Sequence, residues 1–246
     1  GYTFDFIEDR SFRPKVFRTY YDELLMPLEH LWPCVTFSNH DVVRPVTRWG
    51  GGRGDDALAK LGLLLLLTLK GTVLMYQGEE LGLPEADLER KWIKDPVGDL
   101  YFPFGKGRDG CRTPMPWESA SHEAGFTSSA PWLPVPDYHR SRAVDVQERD
   151  ETSVLAFARR LIHFRKQQPA LVTGDIRFAD GAGDAILAFE RKSQGQTRLC
   201  VFNLGRNEAG YELPANTGEM LISTGEIELG KNVLKLGARA GAVLLR

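Results

Sequence analysis

An α/β fold that passes into an antiparallel β domain is predicted by three observations. Short β-rich runs alternate with helix-like segments over residues 2–76, which is the pattern of a parallel sheet. Residues 173–246 contain only short apolar or alternating runs separated by Gly, Asp and Asn turns. Residues 84–149, between them, are rich in Pro, Gly, Trp and charge and carry no regular period.

The elements follow in order. Tyr2, Phe4 and Phe6 alternate with Thr3 and Asp5, which predicts a strand over 2–7. Pro14 suits the first turn of a helix over 13–25. Residues 34–38 form a second β-rich run, bounded by Pro33 and by Asn39-His40-Asp41. Asp55 is a good N-cap for a helix over 56–70, and Gly71 is placed to end it. Residues 72–76 form the next strand. A last helix is expected over 151–167, with Val154, Phe157, Ala158, Leu161 and Ile162 on its apolar face and Pro169 marking its end. Strands are expected at Ile176–Ala179, Ala185–Glu190, Arg198–Asn203, Glu219–Ser223, Asn232–Leu236 and Ala242–Leu245. The expected division is therefore 1–172 and 173–246.

Composition narrows the function classes. The chain has 246 residues, is 42% hydrophobic and carries a net charge of -2 with both signs mixed along its length. It has no basic stripe, so nucleic acid is not an expected partner. The longest apolar run lies around Leu61 to Leu67, inside Leu58 to Leu69, far short of the ~20 residues a membrane helix needs, so no membrane partner is expected either. Cys34, Cys111 and Cys200 are odd in number and widely spaced, which fits neither a disulfide framework nor a zinc site. A cytoplasmic setting is the expectation. His30, His122, His139 and His163 show no ligand spacing.

The densest chemistry lies in Phe37-Ser38-Asn39-His40-Asp41, at the end of an expected strand. In a parallel α/β protein, polar residues just past the C-terminal end of a strand line the site. Asn and Asp also favour plain turns, so these residues alone leave both readings open.

The surrounding residues resemble a known family. Cys34 to Trp49 is similar to the fourth signature region of the α-amylase family, family thirteen of the glycoside hydrolases. Tyr76 to Leu83 and Gly107 to Trp117 resemble its α-glucosidase and oligo-1,6-glucosidase branch. The resemblance spans the chain, in order and with natural spacings. It implies a (β/α)8 barrel, of which this chain would hold strands six to eight, followed by a small antiparallel β-sandwich domain. It implies a retaining glycosidase acting on terminal α-linked glucose of short glucosides, with no cofactor. Asp41 matches the carboxylate that stabilises the transition state. His40 matches a histidine that hydrogen-bonds the same sugar ring, and Arg108 an arginine that recognises terminal glucose. Phe4 or Phe6 matches an aromatic near the sugar. Arg44 and Arg48 either shape the entrance, where Arg44 would bind substrate, or pair with acids. Glu80 would support the floor of the site rather than react.

Retention needs a nucleophile and an acid/base carboxyl only ~5–5.5 Å apart. The family carries them on strands four and five, with arginine just before the nucleophile. No Arg-x-Asp occurs here in a strand context. The expectation is a fragment that begins inside a barrel strand, leaves open parallel edges, and is marginally stable and inactive alone. A non-catalytic barrel relative is the competing reading. A transglucosidase or sucrose isomerase is the alternative within the class.

Overall fold

The computed structural model describes residues 4–25, 31–105, 107–179, 183–193 and 195–246. In chain order the helices are α1 (Asp5–Glu8), α2 (Pro14–Thr19), α3 (Pro45–Arg48), α4 (Asp56–Thr68), α5 (Pro96–Tyr101), α6 (Asp137–Arg140), α7 (Val144–Gln147), α8 (Val154–Lys166) and α9 (Pro169–Thr173). A π-helical segment, Tyr20–Leu25, continues α2. The strands are β1 (Cys34–Val35), β2 (Thr72–Val73), β3 (Asp175–Phe178), β4 (Ile186–Ser193), β5 (Gln196–Asn203), β6 (Ala209–Glu212), β7 (Met220–Thr224), β8 (Ile227–Leu229), β9 (Val233–Leu236) and β10 (Gly241–Leu245).

The chain forms two compact units. One comprises 1–36, 60–74 and 159–246; the other comprises 37–59 and 75–158. The first unit holds both kinds of sheet. β1 and β2 pair in parallel, Cys34 with Thr72 and Val35 with Val73. The strands β3-β4-β5-β10-β7 form an antiparallel sheet of five, and β6-β9-β8 a sheet of three. Leu199, Val201, Ala242 and Leu244 from the larger sheet share one apolar core with Tyr211, Leu234 and Leu236 from the smaller. This is a sandwich: the two sheets bury one face each against the other, while the central strands β4, β5 and β10 are apolar on both faces.

A file of rings joins the N-terminal helices to that sandwich. Phe6 packs on Phe17 at 5.1 Å, Tyr21 on Phe178 at 5.7 Å, Phe178 on Phe189 at 5.4 Å and Phe189 on Phe202 at 5.6 Å. The C-terminal end of α4 presents carbonyls with no helical partners, and three side chains satisfy them. The Tyr21 hydroxyl donates to Lys70 at 2.6 Å, Arg165 to Leu67 and to Gly71, and the buried Arg191 to Thr68. Gly71 closes this end with φ +140°; a Cβ there would lie 2.7 Å from Val35 Cγ2 and 2.8 Å from the Pro33 carbonyl.

Two expectations are corrected. Residues 5–8 are helical, not a strand, and residues 2 and 3 of the expected strand lie outside the described residues. Phe6 and Ile7 are both buried while Asp5 and Glu8 are exposed, a one-sided pattern that a helical turn allows and a strand would split across two faces. The runs at 34–38 and 72–76 pair over only two residues each. Pro169 follows the end of α8 as expected, and it also opens α9 at the first position, where its missing N–H costs nothing. The strands β6 and β8 were not expected. His30 lies outside the described residues.

In the second unit, Asp55 caps α4 as expected, its Oδ1 accepting from Leu58 N–H at 2.9 Å. Most of the irregular stretch is turns and short helices, wrapped around Leu81, Leu83 and Leu155 and around Ala86, Leu88 and Leu133.

Candidate functional site

The second unit brings together Asn39, His40, Asp41, Asp95, Arg108 and Arg112. The segment 37–41 is held from below by a buried acid. Ser38 Oγ donates to Glu79 Oε1, and Tyr76 N–H donates to Glu79 Oε2 at 3.3 Å. Burial pushes the Glu79 carboxyl up to about 7. Asn39 Oδ1 then accepts from the Asp41 N–H at 2.8 Å, the local turn that residue type favours. Arg48 adds a bond from Nη2 to the Phe37 carbonyl at 2.6 Å.

Three cationic or polar groups converge on the Asp41 carboxylate. Arg108 Nη1 donates to Oδ1 at 3.1 Å and Arg112 Nη2 to the same oxygen at 2.9 Å. His40 Nε2 lies 3.4 Å from Oδ2. Asp41 and Arg108 are both about two-fifths exposed, at 42% and 44%. The cluster therefore opens to solvent with donors and acceptors side by side, which is what a polyhydroxylated ligand requires.

Arg108 is held from behind. Asp95 follows a one-turn helix and its side chain is 0% exposed. Its Oδ2 accepts from Arg108 N–H and Nε, both at 2.9 Å, and its Oδ1 from Arg108 Nη2 at 3.3 Å. Bonds from Arg108 hold the Asp95 carboxyl down at about 2, against its burial. The same pairing raises the Arg108 guanidinium above its ordinary value.

One sequence-derived site residue is placed elsewhere. Arg44 is 1% exposed and cannot reach a ligand. Its Nη1 donates to the Gln77 carbonyl at 2.7 Å and its Nη2 to the Cys111 carbonyl at 2.9 Å. Its guanidinium lies 5.5 Å from the Tyr76 ring centre, and Nε has no partner. The reading of Arg44 as substrate-binding is corrected: it ties the strand-end loops together. Phe4 is exposed and belongs to the other compact unit. Phe6 is buried in the ring file. Glu80 accepts from Gly78 N–H at 2.8 Å and supports its own turn.

Sequence reasoning missed Arg112 and Asp95. Arg112 also donates from Nε to the His40 carbonyl at 2.6 Å, so it touches both members of the pair. A signal existed: Arg108 and Arg112 flank one 3-10 turn, Asp109–Cys111, which carries both toward the same place. Asp95 had only the N-cap signature of Asp before Pro.

No group of three or more His, Cys, Asp or Glu among the described residues could hold a metal ion. No helix of the described residues is long and apolar enough to cross a membrane.

The comparisons with known proteins agree on one family. A probable α-glucosidase of Rhizobium meliloti (strain 1021) is 48% identical over 209 residues, covering 84% of this chain and 38% of that protein. A probable oligo-1,6-glucosidase of Bacillus subtilis (strain 168) is 32% identical over 212 residues, covering 78% of this chain and 38% of that protein. The crystal structure of XgtA, an α-glucosyl transfer enzyme, superposes with a TM-score of 0.90 at 41% identity, covering 100% of this chain and 46% of that one. The chain thus spans less than half the length of these relatives, and corresponds to part of their barrel fold. The family model for the α-amylase catalytic domain matches residues 10–174, and the chain belongs to the α-amylase family.

Proposed function

We propose that the chain is the sugar-gripping portion of a retaining α-glucosidase that releases terminal α-linked glucose from short glucosides. The observation that carries the reading is the convergence of Arg108, Arg112 and His40 on the Asp41 carboxylate. Glycoside hydrolysis passes through an oxocarbenium-like state, and hydrogen bonds to ring hydroxyls that strengthen there supply several kcal/mol. In this reading Asp41 takes two ring hydroxyls and His40 a third. Arg108 fixes the terminal ring with its exposed edge. Asp41 neither attacks nor donates a proton. The nucleophile and the acid/base come from barrel strands outside these 246 residues. Residues 1–172 belong to the barrel and 173–246 to the β domain; the antiparallel strands from Asp175 onward and the end of the family match at residue 174 support that division.

The test is turnover of an aryl α-glucoside by the chain alone and by the chain combined with the preceding barrel half of a related α-glucosidase. The expected result is turnover only in the combination, abolished by Asp41→Asn. Turnover by the chain alone would overturn the reading. A second reading, transfer of the glucosyl group to a sugar rather than to water, is favoured by the likeness to XgtA. Product analysis of the combined enzyme at high sugar concentration separates the two: accumulating disaccharides favour transfer, free glucose hydrolysis.

A further inference from the structure

Arg108 is not free to orient itself. Two of its three guanidinium nitrogens, Nε and Nη2, face Asp95, and only Nη1 faces Asp41. Its backbone N–H is taken by Asp95 as well, at 2.9 Å. One carboxylate therefore fixes both the root and the plane of the side chain.

Asp95 is in turn immobilised. Its Oδ1 also accepts from Val97 N–H at 3.2 Å, capping α5. Its own N–H donates to Asp109 Oδ2 at 2.7 Å, beside the Lys94 N–H that donates to the same oxygen at 2.5 Å. Asp109 is buried, and its other carboxylate oxygen has no partner. A buried acceptor left unsatisfied is a cost that is normally avoided. Its presence here fits a residue kept for holding the 94–95 backbone. Gly107 completes the cradle: at φ +65°, a Cβ there would lie 2.7 Å from Asp95 Oδ2 and 2.8 Å from the Gly98 backbone.

We propose that Asp95 is a positioning residue, held by Asp109, that fixes the guanidinium plane of Arg108 so that only its Nη1 edge is offered to Asp41 and to sugar. The sugar part rests on the α-glucosidase reading above. The positioning part does not. A bidentate clamp on a planar fork gives geometry as well as energy, and that distinguishes it from an ordinary surface pair. Arg90 supplies the contrast within the same chain. Its Nε donates to Asp99 at 2.9 Å, but both side chains are well exposed, at 62% and 59%.

The experiment is NMR of the arginine Nε–H groups in the 246-residue chain. In the unaltered chain, Arg108 Nε–H is expected to exchange with water at least ten-fold more slowly than Arg90 Nε–H. In Asp95→Asn that protection is expected to fall to the Arg90 level, with backbone signals of 37–59 unchanged. Equal exchange of Arg108 and Arg90 in the unaltered chain would overturn the proposal without any variant, so it stays falsifiable if Asp95→Asn does not fold. Undiminished protection in folded Asp95→Asn would overturn it too. A titration with methyl α-D-glucoside separates the two readings. Asp95-dependent protection with no sugar-induced shift at Arg108 or His40 upholds the positioning and sinks the sugar-binding reading.

Discussion

Arg112 spans the His40–Asp41 peptide, its Nε donating to the His40 carbonyl at 2.6 Å and its Nη2 to the Asp41 carboxylate at 2.9 Å. One planar side chain thereby sets both the backbone and the carboxylate of the segment that carries the proposed chemistry. A lysine, with one nitrogen, cannot reach both acceptors in that geometry. Arg112→Ala is expected to lower stability by about 1 kcal/mol, the upper part of the range for pairs open to solvent on one side. Arg112→Lys is expected to recover less than half. Urea unfolding of the three proteins checks this; full recovery by lysine would show that charge alone matters.

Arg44 makes the opposite case, a cation with no access to ligand. Removing its side chain strands the Gln77 carbonyl, leaves the Cys111 carbonyl only the Tyr76 hydroxyl at 3.2 Å, and empties a buried space. Orphaned buried acceptors cost about 1–3 kcal/mol each. Arg44→Ala is expected to destabilise the chain by roughly 3 kcal/mol or more. Arg44→Met fills the space but leaves the acceptors bare, and is expected to be nearly as damaging. Thermal unfolding distinguishes this from a ligand-binding role, which would leave the midpoint nearly unmoved.

These two arginines show what was legible in the sequence. His40, Asp41 and Arg108 stood out because signature stretches surround them, and the structure puts them within bonding distance. Arg44 lies in the same stretch and has the same chemistry, but only burial separates a ligand-facing arginine from a structural one. Asp95 lay outside every motif, and its contact with Arg108 closes a loop of 13 residues that periodicity does not see. The β domain was legible where strands carry continuous apolar runs, as in β4 and β5, whose Ile186–Phe189 and Leu199–Phe202 are all buried. The strands β6 and β8 are edges of the smaller sheet and bury few residues, so their pattern was weak. The helix at Asp5–Glu8 was misread because alternation over so few residues is decided by tertiary burial.

The buried acids give a pH dependence with opposing signs. Burial raises Glu79 from 4.5 to about 7 and Glu85 likewise to about 7. The folded chain then binds more protons than the unfolded chain between those values, so their contribution to stability falls as pH rises from about 4.5 to 7. His139 acts in reverse. Burial between Thr113 and the Pro84 carbonyl lowers it from 6.5 to about 4, so the unfolded chain binds the extra proton and stability rises with pH across that window. Glu79→Gln is expected to remove one of the two falling contributions, so that stability falls less between pH 4.5 and 7 than in the unaltered chain. Chemical unfolding at a series of pH values measures the difference; parallel curves would show that Glu79 is not protonated on folding.

Gly107 offers the last test, because it acts on Asp95 without altering any charge. Its φ of +65° is open to glycine, and side chains pay roughly 1–2 kcal/mol to enter that region. A Cβ would also stand 2.7 Å from Asp95 Oδ2, the oxygen that accepts from both Arg108 N–H and Nε. The carboxylate must yield, since the Gly98 backbone blocks the other direction at 2.8 Å. Gly107→Ala is therefore expected to cost roughly 2 kcal/mol of stability and to release Arg108 Nε–H exchange to near the rate of Arg90. Loss of stability with Arg108 still protected would mean that the loop relaxes around the methyl group, and that the cradle is more compliant than these distances imply.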